Sequence, residues 1–420
     1  MNRFGVEEFK ASLGLALFVL GYGTGPLIFS PMSEIPVFGR NIPYIATFAL
    51  FVIISVPTAL VDNLGGLLVL RFLQGFFGSP CLATGGATMQ DIYSMLYVPI
   101  AIAFWVSAAF SAPALGPLLS GFAVMNKGWR WSLWEILWLS GPVFVLWFFT
   151  MPETSQDNIL LRRAQRLRKL TGSSKYVSQS ELNQKHLTAS AIAQEAFIKP
   201  FEINIKDPAI LFTSIYSGII YGTYYSFFEV FPLVYGGLYG FNLGETGLVF
   251  VCIVVGCAIG MFLYDMLILK VVIPGIRKNG LGPQESVLTP SLIFVFGPTI
   301  SLFLFAWTSR ADIHWIVPTI CLTIYPLSVF IVFQTIFTYI PLSYPQYAAS
   351  LFAGNDFVRS LFAFGSVLFS RSMYINEGIG KGVSILGGLS VLGWIGMYFL
   401  FFKGAKLRAR SKFAVHPDEM

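Results

Sequence analysis

Asp356 and Arg359 stand three residues apart in "FAGNDFVRSLFA", near the centre of an otherwise apolar block. On a helix this spacing puts both on one face, so in oil the two charges must meet each other or line a wet cavity. Asn355 adds hydrogen-bonding capacity to either arrangement, a neutralised structural pair or a polar site. Glu229 follows Tyr224, Tyr225, Phe227 and Phe228. Aromatic faces with one carboxylate suit flat, apolar, often cationic molecules through stacking and cation–π attraction, with Gln334 and Phe362 as weaker companions. The same rings would also serve as an anchoring belt at a membrane surface. A third constellation is "GYGTGPLIFSPMSEIPVFGR", where glycines 21, 23 and 25 permit close helix approach and Glu34 and Arg40 follow at the end of the block.

These groups sit in a chain of 420 residues that is 55% hydrophobic and only 11% charged, with a mean hydropathy of +0.70. Such a composition belongs to a membrane protein. A spanning helix needs about 20 mostly apolar residues, and backbone groups in lipid must bond internally, so the apolar blocks are helices. The expected fold is an all-α polytopic protein with about eleven spans: 11–32, 42–62, 66–88, 98–122 and 131–150, then 209–232, 244–267, 289–308, 315–340, 348–370 and 383–402. The expected organisation is an N-terminal bundle of five spans (1–151), a linker (152–207), a C-terminal bundle of six (208–402) and a tail (403–420).

The linker holds the basic run "LRRAQRLRKL" and a short apolar patch near Ala191–Phe197, which reads as an amphipathic helix on the membrane plus polar chain. With alternating spans, the linker, Arg40, Lys270, Arg277, Lys278 and the basic tail share one side, which the excess of Lys and Arg predicts to be cytoplasmic. The net charge of +6 is thereby assigned to membrane orientation, and no nucleic-acid partner is expected. "MNRFGVEEFK" lacks the pattern of a cleavable leader. Counting back from a cytoplasmic tail places Met1 outside, and the split of five and six is uneven for a duplicated transporter; the expectation is that one preceding span is absent from this sequence. Cys81, Cys252, Cys257 and Cys321 lie in apolar blocks and read as small buried residues. His186, His314 and His416 have no companions at metal-ligand spacing, so neither metal nor cofactor is expected. No G-x-x-x-x-G-K-[ST] loop is present, which directs attention from ATP to an ion gradient. No nucleophile and base stand at a plausible spacing for an enzyme.

Several stretches resemble the major facilitator superfamily, and within it the fungal drug:proton antiporters with twelve spans. Gly25 and Leu27, Glu34, then Gly39 and Arg40 resemble the loop signature between the family's second and third helices, with Glu34 where Asp is more common. Arg71, Gln74 and Gly75 in "RFLQGFFGSP" resemble the next signature, and Gly116, Pro117 and Gly121 in "ALGPLLSGFA" resemble the antiporter signature. "GWRW", "MPET", "YGTYYSFFEVFPLVYGGLYGFNLGETGL" and "YPQYAASLFAGNDFVRSLFA" extend the likeness to the benomyl, fluconazole and cycloheximide resistance branch.

The resemblance implies two pseudo-repeated bundles rocking about a central cavity, exporting amphiphilic drugs such as azoles and benzimidazoles in exchange for protons at the plasma membrane, as a monomer. It implies that Glu34 and Arg40 latch a neighbouring helix end in one conformation, the alternative being a plain cytoplasmic turn with an orienting Arg. It further implies that Arg71 faces the cavity and biases a nearby carboxylate, although its depth would also let it snorkel to the surface. The proline-bent helix around Gly116, Pro117 and Gly121 would seal against a partner and prevent proton leak. The alternatives are the same machine carrying a polyamine, siderophore or sugar, and a receptor-like or inactive fragment.

Overall fold

The computed structural model describes residues 7–184, 198–280, 282–344, 348–409 and 411. His186, His416, the patch at 191–197 and most of the tail lie outside them. All regular secondary structure among the described residues is helical, with no strand among them.

The N-terminal group comprises α1 (Glu8–Thr24), α2 (Pro26–Glu34), α3 (Asn41–Leu60), α4 (Leu64–Gly78), α5 (Pro80–Ile92), α6 (Val98–Lys127) and α7 (Arg130–Thr150). Pro26 and Pro80 open α2 and α5; a proline at N1 needs no helical partner for its nitrogen, so each is a joint within one apolar block rather than an end. The linker supplies α8 (Gln156–Thr171), α9 (Gln179–Gln184) and α10 (Lys199–Lys206). Ser155 caps α8 by accepting from the Asn158 N–H, and Gly172 ends it in the left-handed region, φ +65°.

The C-terminal group is α11 (Pro208–Phe231), α12 (Leu243–Val249), α13 (Val251–Leu267), α14 (Ile273–Asn279), α15 (Thr289–Phe294), α16 (Gly297–Thr308), α17 (Ile316–Ser343), α18 (Ala348–Glu377) and α19 (Ile379–Arg408). Asp207 starts α11 by accepting from Ala209 and Ile210, and an Asn242–Glu245 capping box starts α12. By length and composition, nine helical stretches among the described residues can cross a membrane. The remaining two expected spans correspond to α11 and α18, helices of 24 and 30 residues whose polar residues are buried. The helix expected over 98–122 runs on to Lys127.

Within the first group α1 packs on α4, and α3 on α4 and α7; within the second, α11 packs on α18 and α19, and α17 on α13 and α16. The two groups meet along a seam in which α1, α2 and α5 face α18 while α6 faces α12, α13 and α17. The linker helix α8 is docked by Asn158, Leu161 and Ala164, which are buried, so it is fixed to protein along one stripe.

Candidate functional site

The seam owes its closeness to glycine. Gly21 and Gly25 lie against the α4–α5 backbone around Phe72, Phe76 and Ser79, while Gly23, half a turn away, lies against Ser360 of α18. A single side chain at Gly23 would push α18 off, together with everything α18 carries. Beside Ser360 stand Asp356 and Arg359, 1% and 4% exposed, joined in an ion pair. The Arg359 guanidinium lies 4.7 Å from the Tyr221 ring centroid and within 6 Å of Phe333 and Phe337. Cation–π attraction partly replaces the water that this charge has lost. The Tyr22 hydroxyl lies 2.9 Å from that of Tyr221 and 3.0 Å from that of Tyr225, so α1 and α11 are bridged directly over the pair.

This site is only partly satisfied. Asp356 Oδ2, Arg359 Nε, Asn355 Oδ1, Ser360 Oγ and both amide atoms of Gln334 are buried without a partner. Unpaired buried polar atoms cost about 1–3 kcal/mol each. These six atoms lie on α17 and α18, and buried polar atoms without a partner in a native structure call for an explanation.

At the end of the seam nearest the linker, Glu34 and Arg40 reach different partners. Glu34 accepts from Ser350 of α18 at 2.6 Å, across the seam. Arg40 donates to Asp91 of α5 and to Ser33, both at 2.9 Å, within its own group. Beside it the Glu153 carboxylate accepts the backbone N–H groups of Arg40, Asn41, Thr154 and Ser155, and Asn158 donates to the carbonyl of Pro36 at 2.7 Å. Gly39, at φ +68°, leaves room for both side chains. Glu34–Ser350 is therefore one of the bonds that join the two groups, as is Arg277–Tyr97 at 3.3 Å, while Arg40 and Glu153 hold the loop that carries Glu34. Glu34→Gln is expected to weaken the closed seam at this end about tenfold, through loss of a charge-assisted bond; wild-type accessibility of a cysteine placed at Ala349, beside Ser350, to a thiol reagent in a background with the four native cysteines replaced would refute it.

At the opposite end Ser12 of α1 donates to Glu229 of α11 at 3.2 Å. Of the expected aromatic companions, Tyr224 is buried and donates to the Phe110 carbonyl, Tyr225 joins the central cluster, and Phe228 packs on Tyr225 and Phe250. They form an internal aromatic column rather than a belt facing lipid. Phe362, by contrast, lies over Gly218 and Gly222 and is 39% exposed, at the margin of the cluster. Arg71 lies 5.4 Å from the Phe18 ring centroid and 3.5 Å from Gln74 Oε1, and among the described residues no carboxylate is within ion-pair distance. Gly75 lies against the backbone of Phe18 and Tyr22, fixing the α1–α4 crossing.

Gly121 lies against the Leu243 carbonyl and Gly247 against the Pro117 carbonyl, so α6 and α12 touch backbone to backbone; Gly116 has open space, correcting its assignment to the seal. Gly121→Leu is expected to lower stability by roughly 1–3 kcal/mol through overpacking, and Gly116→Ala to leave it unchanged or slightly raised. Thermal unfolding in detergent checks both.

Tyr22, Tyr221, Ser350, Ser12 and Glu153 escaped the reading of the sequence. The one available signal was Tyr221 preceding Tyr225 by four residues, which places both on one helical face. Among the described residues no three His, Cys, Asp or Glu side chains gather to hold a metal.

The Major Facilitator Superfamily profile matches residues 1–366. An MFS-type transporter, pyvG, of Aspergillus violaceofuscus is 44% identical over 98% of this chain and 76% of its own length. Fluconazole resistance protein 1 of Saccharomyces cerevisiae is 40% identical over 98% and 76%. Among solved structures, the partially occluded inward-open xylose transporter XylE from E. coli superposes with a TM-score of 0.62 at 14% identity, covering 95% of this chain and 91% of that one. The helical fold, the two-sided seam and these likenesses agree: the chain belongs to the major facilitator superfamily and is a multi-pass membrane transporter, not an enzyme.

Proposed function

We propose that this chain exports amphiphilic xenobiotics, azoles and benzimidazoles among them, across the plasma membrane in exchange for protons. The observation that carries the reading is the buried Asp356–Arg359 pair at the seam, with one carboxylate oxygen unpartnered and aromatic rings packed over the guanidinium. A proton arriving on Asp356 weakens its hold on Arg359, and a flat apolar molecule among Tyr221, Phe333 and Phe337 competes for the same cation face. Drug and proton then occupy the site alternately, as exchange requires. Arg71 cannot release its own proton and has Gln74 and Phe18 rather than a carboxylate beside it, so its part is to bias water nearby.

The resistance named for the fluconazole relative supports the substrate class. The scarcity of carboxylates around the site disfavours a polyamine, which would need several. Glu34–Ser350 and Ser12–Glu229, at the two ends of one seam, support alternating access: opening either end breaks one of them. The basic run of α8 and the basic tail support a cytoplasmic linker and C-terminus. The drive is the proton gradient, in which one charge crossing 100 mV contributes about 2.3 kcal/mol. The protein works as a monomer.

Efflux of a fluorescent azole from cells lacking other exporters tests this. Expected are faster efflux on expression, arrest by a protonophore, and competition by benzimidazoles but not by spermidine. Expression without any protonophore-sensitive efflux refutes the reading, and competition by spermidine replaces the substrate class.

A further inference from the structure

The linker helix α8 presents three stripes. One, Asn158, Leu161 and Ala164, is buried against the protein. A second, Arg162, Arg166 and Lys169, is spaced i, i+4, i+7 and exposed. The third, Leu160, Arg163, Leu167 and Leu170, is spaced i, i+3, i+7, i+10; Leu170 is 82% exposed. Leu160, Arg163 and Leu167 line a groove of about 210 Å³ with Tyr176 and Val177 of the turn that follows. That turn is held by the Arg168–Glu181 ion pair, 2.7 Å, and by Glu181 accepting from Ser178. The Arg168 guanidinium keeps the Glu181 carboxyl below its usual range, so the fold of the hairpin does not depend on pH near neutrality.

A contiguous patch of large apolar side chains rimmed by polar ones marks a surface that meets a partner or a membrane. The position of α8 indicates what does. Five residues separate it from the membrane-spanning α7, a reach of at most about 18 Å at 3.3–3.6 Å per residue. Asn158 is bonded to Pro36 and Glu153 to Arg40 and Asn41, within the short loop joining two spans. These bonds hold α8 at the level of the bilayer face, where an apolar stripe adjoining a basic one meets acyl chains and headgroups together.

We propose that α8 and the following turn, residues 156–182, form a docking surface for anionic phospholipid at the bilayer face beside the N-terminal bundle. Arg162, Arg166 and Lys169 meet the headgroup charge, while Leu160, Leu170 and Val177 enter the headgroup–acyl boundary. With exposed Arg163 beside them, these make four cations on one short helix, the lower end of the polybasic pattern that an anionic leaflet attracts, and no compensating acidic residue follows Asp157 in α8. A soluble acidic protein would satisfy the charges but has no reason to be placed at this level.

Hydrogen–deuterium exchange of the full chain in nanodiscs tests the surface. Both leaflets of a nanodisc are alike and no transport is measured, so the outcome is independent of orientation and of drug export. Amides of 156–182 are expected to exchange at least threefold more slowly in phosphatidylcholine containing 30% phosphatidylserine than in phosphatidylcholine alone, and the difference is expected to vanish with Arg162→Gln/Arg166→Gln/Lys169→Gln. These three side chains are exposed and bury nothing in the docked stripe, and unchanged exchange in α3 and α6 confirms that the variant is folded. Equal exchange in the two lipids, a difference that survives the triple substitution, or protection that appears only on adding a cell extract overturns the proposal.

Discussion

Asp356→Asn is expected to reduce proton-driven efflux by at least ~100-fold, equivalent to about 2.7 kcal/mol of barrier, and also to destabilise the protein. The two effects have different origins. Removing one partner from a buried pair leaves Arg359 as an uncompensated cation, a loss of about 3–5 kcal/mol. The transport loss arises because Asn cannot take up and release a proton. A double variant separates them. Asp356→Leu/Arg359→Met removes both charges and conserves approximate volume, so stability should return to or exceed the wild-type value while transport stays absent. The measurements are thermal unfolding in detergent and drug movement in proteoliposomes under an imposed pH difference. Wild-type transport by the double variant would show that the pair is structural, and the proposed exchange mechanism would fall.

Arg408→Ala is expected to be the most damaging single change far from the seam. Arg408 closes α19 with a bidentate pair to Glu285, Nε to Oε1 at 2.8 Å and Nη2 to Oε2 at 2.9 Å. Both side chains are less than 10% exposed. They join the end of α19 to the turn Gln284–Leu288, where Gln284 also accepts from Ser343 of α17. Alanine leaves the Glu285 carboxylate buried and unpaired, again at about 3–5 kcal/mol, which for a bundle of this size lowers Tm on the order of 10 °C. Arg408→Lys should recover part of this, because an ammonium restores the charge but not the two parallel bonds. A melting temperature unchanged by Arg408→Ala would show that the end of α19 is held by its apolar contacts alone.

What the sequence determined by itself was the class of the molecule and the position of its long helices. Runs of apolar residues longer than a bilayer is thick admit only one secondary structure, and charge asymmetry assigned the linker and tail to one side. The family signatures also told the chain's membership before any fold was known. It exposed Asp356 and Arg359 as well, because three-residue spacing on a helix is a local rule and ionisable groups in an apolar block stand out. Tertiary structure decided the partners. Glu34 and Arg40 are six residues apart, yet one faces Ser350 across the seam and the other Asp91 within its own group. Arg359 stacks on Tyr221, 138 positions away in the chain, a pairing that no periodicity announces. Gly116 and Gly121 look alike in one signature, but only Gly121 meets a neighbouring backbone. Helix formation depends on bonds four residues apart and is written locally, whereas which helix faces meet depends on small side chains that let two distant backbones touch, and that is settled only when all the helices have packed.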